Sequence, residues 1–342
     1  MNLRFTFVSN LLLTSLLIGN VGITQQHPKT QQMGEQTDQA VTNDLKPAPP
    51  ANTPTEELQT PRTKYDFEKH GGIVYDRGKN YRLTLDVYQP QGKGPFPAVL
   101  AIHGGAWRSG SKITMLRHAW ALAAAGYVVV AINYRHAPEH KFPAQIHDCK
   151  QAIRWIRYHS DRYAIHKDKV AAFGYSAGGH LASLLGTSNS EDSLEGPIKD
   201  ERLKDISTDV QAVIAGGAVC EFDWVAPNSN ILKYWLGANR SADPDVYQRA
   251  TPIHYISKMT PPFLFFHGDQ DAVVPISSPR AMHQKLLDLG LQSEFHTATG
   301  KGHLATFGDL RQMNPCIEFL DRHFQDKETP SKSPESHPTT GN

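Results

Sequence analysis

Apolar runs of strand length alternate along the chain with segments whose apolar residues recur at helical spacing, and this pattern restricts the fold more than any other feature. The run Tyr127-Val128-Val129-Val130-Ala131-Ile132 is continuous and stops where Asn133 opens a polar stretch. Strands covered on both faces read this way. In the segment 144–159, Ile146, Cys149, Ala152, Ile153 and Ile156 fall on one helical stripe. The same reasoning predicts strands at 81–88, 98–102, 127–132, 170–173, 210–219, 262–266 and 293–297. It predicts helices at 115–125, 144–159, 177–186, 278–289 and 311–323. The expected fold class is therefore α/β, with a mostly parallel central sheet and helices on both faces. Ligands in such sheets sit beyond the carboxyl ends of the strands, so chemistry is sought just after each strand.

Outside this region the composition changes. Residues 1–24 begin with Met1-Asn2-Leu3-Arg4 and continue as a mostly apolar run from Phe5 to Ile23. A basic start before a short apolar core reads as a signal peptide, with an uncleaved N-terminal anchor as the alternative. The expectation is export, periplasmic or secreted, with no stable membrane span after processing, because a spanning helix needs about 20 apolar residues. Residues 25–61 contain no aromatic side chain and are rich in Gln, Thr and Pro; they read as a disordered linker, and 327–342 as a disordered tail. The folded unit is expected over 62–326. With Lys+Arg 35 against Asp+Glu 34 the net charge is +1, so no field draws the chain to nucleic acid. The three cysteines, Cys149, Cys220 and Cys316, are far apart with no CxxC. They are expected as buried thiols, with no disulfide framework and no metal site. No cofactor is implied.

Three strand ends carry chemistry. Gly174-Tyr175-Ser176-Ala177-Gly178-Gly179 lies between a strand and a helix. That context makes Gly-x-Ser-x-Gly a turn that projects Ser176 from the top of the sheet and frees the Ala177 N–H at a helix start. His103-Gly104-Gly105-Ala106-Trp107 follows a second apolar strand, and its glycines let backbone N–H groups approach a developing negative charge. A serine hydroxyl needs a base, and that base needs a carboxylate to fix its tautomer. Asp271, in His267-Gly268-Asp269-Gln270-Asp271, and His303, in Gly300-Lys301-Gly302-His303, supply them in the order Ser, Asp, His. Asp269 is the competing carboxylate and reads as a turn or cap residue. His136 and His140 are four apart, but Pro138 lies between them, so a loop is expected rather than a metal pair. His180 reads as a packing or hydrogen-bonding residue.

At these residues the sequence resembles the α/β-hydrolase superfamily, and within it carboxylesterases related to hormone-sensitive lipase and to the bacterial feruloyl/acetylxylan esterase-like group. The resemblance spans about residues 81–324. It rests on His103–Trp107, on Asn133-Tyr134-Arg135-His136-Ala137-Pro138-Glu139, on Gly174–His180 and on the segments around Asp271 and His303. It implies an α/β-hydrolase fold, Ser176, Asp271 and His303 as catalytic residues, and Gly104, Gly105 and Ala177 as oxyanion donors. Ala106 stands where a third glycine is common, and His136 where leucine is. The implied activity is serine esterase chemistry on a small-molecule or carbohydrate ester, acetyl and feruloyl esters included. An amidase or peptidase of the arylformamidase or prolyl-oligopeptidase-like type, and a non-catalytic binding module, are the alternatives. The stretch 220–255 is too long for a tight connection between strands. It is expected to form a small cap whose aromatics, Trp224 and Trp235 among them, line the leaving-group pocket or pack as ordinary core.

Overall fold

The computed structural model describes residues 63–188 and 194–324. The segments read as signal peptide or anchor, linker and C-terminal tail lie outside the described residues. Eight strands form one sheet: β1 (Phe67–Arg77), β2 (Arg82–Pro90), β3 (Phe96–Ile102), β4 (Val128–Ile132), β5 (Ile165–Tyr175), β6 (Ala212–Gly216), β7 (Phe263–Gly268) and β8 (Ser293–Ala298), in the order β1-β2-β4-β3-β5-β6-β7-β8. From β4 to β8 all neighbours are parallel, whereas β2 runs antiparallel to both β1 and β4. The mostly parallel sheet is thus as expected, with an antiparallel pair at one edge.

The side-chain alternation of a strand divides the core in two. Ala98, Leu100 and Ile102 of β3, with Val128, Val130 and Ile132 of β4, enter one apolar cluster, together with residues of α2 (Ala144–Tyr158), α3 (Ala177–Thr187) and α6 (Ser277–Asp288). Val99, Ala101, Val129 and Ala131 point the other way, against α1 (Leu116–Ala124) and α8 (Met313–Phe324). Two short helices, α4 (Lys233–Leu236) and α5 (Pro244–Arg249), lie between β6 and β7, and α7 (His303–Gly308) follows β8. Cys149, Cys220 and Cys316 are free and buried. Among the described residues, no helix is long and apolar enough to cross a membrane.

The strand that the sequence pattern does not reveal is β1. Its residues Glu68, Lys69, Gly71 and Gly72 are exposed, and its pairing with β2 slips between His70 and Ile73, so strict alternation is lost. The buried carboxylate of Asp86 on β2 holds this edge. It accepts the Gly72 N–H at 2.8 Å, pairs with Lys69 at 3.1 Å and meets Lys112 from the segment after β3.

Burial holds four imidazoles, His103, His118, His147 and His180, down to a pKa of about 4. In an unfolded chain each titrates near 6.5, so unfolding between these values takes up protons and stability falls as pH drops through that window. Urea unfolding at pH 7 and pH 5 should show a loss at the lower pH: near pH 5 these four rings take up roughly three to four protons on unfolding, against about one released by Asp148, whose pKa burial holds at about 6. Equal unfolding free energies at the two values would show that these rings are not held neutral.

Candidate active site

The sheet order changes direction around β3: the chain leaves β3 for β4 on one side and later returns to β5 on the other. Ile102 and Gly174 are register partners across β3 and β5, so the turns that follow these strands emerge side by side. This is the crevice where α/β sheets place ligands. Both glycine-rich motifs therefore meet at one point of the sheet edge.

The contact is made backbone to backbone. A methyl on Gly174 would lie 2.1 Å from the Gly178 carbonyl oxygen, and one on Gly178 would lie 2.1 Å from the oxygen of Ile102. Ser176 sits at the apex with φ 58° and ψ −122°, a left-handed conformation that a non-glycine residue adopts only at a cost of order 1–3 kcal/mol. Its N–H donates to Gly216 O at 2.8 Å. Ala177 is the first residue of α3, so its N–H has no partner within the helix. Gly104 approaches the serine from the neighbouring turn; a Cβ there would stand 3.2 Å from Ser176 Cβ. Among the described residues, the N–H groups of Gly104 and Gly105 meet no protein acceptor. Gly104 and the Ala177 N–H thus lie beside Ser176, while Gly105 abuts Ser109.

Asp271 follows β7 and His303 opens α7. His303 Nδ1 donates to Asp271 Oδ2 at 2.6 Å, while the N–H groups of Val273 and Val274 donate to Oδ1, each at 2.9 Å. His267 Nε2 lies 3.2 Å from Oδ2 and donates to Val274 O at 2.9 Å, which fixes its proton on that nitrogen. Burial opposes the charge on Asp271, yet the hydrogen bonds from His267, His303 and Val274 hold its carboxyl well below the usual carboxylate range. The acid is thus ionised and fully directed. Asp269, the competitor, accepts the Gly300 N–H at 2.7 Å and braces the turn before His303, the turn role expected of it. Sequence reasoning gave His267 no part; its position four residues before Asp271, at the end of a strand, was the available signal.

Ser176 and His303 flank the pair Gly216-Gly217. Ser176 binds Gly216, and a methyl on Gly217 would come 3.0 Å from His303 Cε1 and 2.7 Å from Tyr175 Cζ. The Tyr175 hydroxyl donates to His303 O at 2.6 Å and secures the backbone of the imidazole. Ser176 and His303 form no hydrogen bond here; in sites of this type that bond commonly tightens only with substrate in place.

With this geometry in view, comparison with known proteins is decisive for the family. The BD-FAE family model matches residues 85–286. The chain belongs to the BD-FAE family. Esterase LipC of Mycobacterium tuberculosis is 32% identical over 233 residues, which are 64% of this chain and 56% of that protein, so the chain spans about half the length of that curated relative. Among solved structures, a truncated carbohydrate esterase from gut microbiota superposes with a TM-score of 0.65 at 26% identity, over 78% of this chain and 99% of that one. Thermogutta terrifontis esterase 2, phosphoramylated by tabun, gives 0.60 at 27% identity over 77% and 94%. These neighbours confirm the α/β-hydrolase fold.

In this BD-FAE chain the stretch between β6 and β7 plays two different parts. Trp235 is fully buried and stacks on Trp107 with ring centroids 3.8 Å apart and planes 1° apart. Trp107 Nε1 donates to His180 Nδ1 at 3.2 Å, and His180 Nε2 donates to Ala250 O at 2.7 Å. Trp235 Nε1 donates to Gln145 Oε1 at 3.0 Å, and the Tyr234 hydroxyl to Ala106 O at 2.8 Å. Ala106 and Trp107 have φ of 51° and 56°, and these bonds hold that strained segment against α3. Trp235 is therefore core, whereas Trp224 is 38% exposed and lines a cavity. His180 is the hydrogen-bonding residue expected. His136 lies in a loop, half-buried, with its ring edge against His103 at 5.6 Å.

Trp235→Ala should lower stability by about 3–5 kcal/mol, as other large aromatic truncations do, measured by urea unfolding. Gly178→Ala should yield no soluble folded chain, because its added methyl meets fixed backbone. Normal expression and far-ultraviolet dichroism of that variant would contradict the close contact described here.

Proposed function

We propose that this chain hydrolyses carboxylic esters through Ser176, His303 and Asp271. The observation that carries the reading is the strained serine beside Gly104 and the first N–H of α3, on the same sheet edge as a histidine bound to a buried, ionised aspartate. Ser176 Oγ attacks the ester carbonyl while His303 Nε2 takes its proton. The carbonyl oxygen gains negative charge, which Gly104, Gly105 and Ala177 N–H groups stabilise; removing one such donor typically costs about 2.7–4 kcal/mol of barrier. Collapse of this intermediate breaks the ester C–O bond, and His303 returns the proton to the departing alcohol. Water then attacks the acyl-serine, His303 accepts its proton, and collapse releases the acid and restores the Ser176 hydroxyl. Asp271 keeps Nδ1 as the donor, leaves Nε2 free to act as base, and stabilises the transient imidazolium.

The similarity to LipC, to the gut carbohydrate esterase and to Thermogutta terrifontis esterase 2 supports ester hydrolysis. Likeness to a protein described as a carbohydrate esterase supports carbohydrate esters as the substrate class, and within it we propose acetyl or feruloyl esters. We propose an exported location from the basic start and apolar run of residues 1–24; cell fractionation with and without that segment tests it.

Ser176→Ala should reduce p-nitrophenyl acetate turnover by roughly 10⁶-fold and abolish labelling by a fluorophosphonate probe, with unfolding unchanged. Asp271→Asn should cost about 10⁴-fold, because the wrong tautomer is then favoured. A Ser176→Ala protein that keeps most of its esterase activity would exclude this mechanism.

A further inference from the structure

A cavity of about 760 Å³ lies outside the arrangement described above, between the β6–β7 stretch and the start of α6. Its volume is in the range of small-molecule sites. Two of its lining residues are joined to the candidate active site by short stretches of chain. Glu221, a lining residue, is four positions after Gly217, the residue that abuts His303; four residues span at most about 14 Å. Ser277, on the other wall, is six positions after Asp271. Ser278 joins the walls, since its hydroxyl accepts the N–H groups of Cys220 and Glu221 at 3.0 and 3.2 Å.

The lining has a specific chemistry. Trp224 is half-exposed and held in place, its Nε1 donating to Glu221 O at 3.0 Å. Two carboxylates, Glu221 and Asp223, are matched by two cations, Arg240 and Lys285. Arg240 bonds Asp223 at 2.7 Å and Val225 O at 3.0 Å, and Lys285 bonds Ile253 O at 2.9 Å. The Asp223 side chain is 90% exposed, so this ion pair sits at the mouth rather than in the core. A site with balanced charge offers no net attraction to an anion or a cation. It does offer forked donors and acceptors beside a fixed aromatic face. A neutral, polyhydroxylated ring satisfies both, stacking its C–H face on the indole while paired hydroxyls meet the carboxylate and guanidinium groups.

We propose that this cavity is a distal subsite for a glycosyl unit of an oligosaccharide ester, with Trp224 as its platform and Arg240 and Asp223 as its hydroxyl-binding pair. The proposal rests on the esterase reading above and adds to it where the sugar end of the substrate is held. Trp224 is at the surface and its removal leaves the buried Trp107–Trp235 stack intact.

The test uses the full chain and its Trp224→Ala and Arg240→Ala variants. Turnover is measured on p-nitrophenyl acetate and on acetylated xylotetraose, and Ser176→Ala protein is titrated with unmodified xylotetraose, mannotetraose and cellotetraose by calorimetry and tryptophan fluorescence. Trp224→Ala should lower kcat/KM on acetylated xylotetraose about tenfold, mainly through KM, and leave p-nitrophenyl acetate within about twofold. At least one tetraose should bind the Ser176→Ala protein and lose that binding when Trp224 is also replaced. If none of the three binds, or if both cavity variants hydrolyse the acetylated sugar as well as the parent, the subsite is overturned while the esterase reading stands. Failure of the unmodified chain to hydrolyse p-nitrophenyl acetate and acetylated xylotetraose overturns the esterase reading instead, and tetraose binding is then judged by calorimetry alone.

Discussion

The rest of the site depends on the direct contact between two backbone turns with no side chain between them. Parallel pairing of Ile102 with Gly174 delivers both turns to one place, and the absence of Cβ atoms at Gly174 and Gly178 lets the serine turn close onto the end of β3. Only then can Gly104 stand beside Ser176 and the start of α3 face the same space. The strained φ of Ser176 persists because strand, helix and neighbouring turn all fix it at once. Hydrophobic packing on the two faces of the sheet supplies the stability that tolerates this strain.

A second constraint is electrostatic. A buried carboxylate is stable as an anion only when donors surround it. Asp271 has them: two successive backbone N–H groups on one oxygen, and two imidazoles on the other. The turn that carries Asp271 thereby folds around its own side chain, and the position of His303 follows from that of the acid. Asp86 at the opposite end of the sheet repeats the pattern with lysines in place of imidazoles, which ties the antiparallel edge to the segment after β3.

These constraints also explain what the sequence could and could not reveal. The parallel strands were readable because burial on both faces forces continuous apolar runs such as 127–132. The Ser176 turn was readable because its backbone admits so few residue types. The expectation of Asp271 over Asp269 followed the spacing of a motif; the donors of Val273 and Val274 on its carboxylate, and its bond to His303, are visible only in three dimensions. β1 escaped because an edge strand with a Gly pair and a slipped register carries no period. The two tryptophans of the β6–β7 stretch are alike in sequence context, yet one stacks in the core and the other faces solvent; nothing local separates them, since the partner of Trp235 is 128 positions away in Trp107.

That stretch therefore divides by mechanical role. The portion around Trp235 and Ala250 is bolted to the scaffold through Trp107, His180 and Gln145. In the portion around Trp224, Phe222 and Val225 are anchored in the same core, Phe222 against His180 and Trp235, whereas Asp223 and Trp224 face outward. Change in the bolted part would unseat the turn that follows β3, whereas change at the outward-facing positions leaves it in place. An engineer wishing to retarget such a scaffold would vary the outward-facing positions Asp223, Trp224 and Arg240 and leave Phe222, Val225, Trp235 and Ala250 alone.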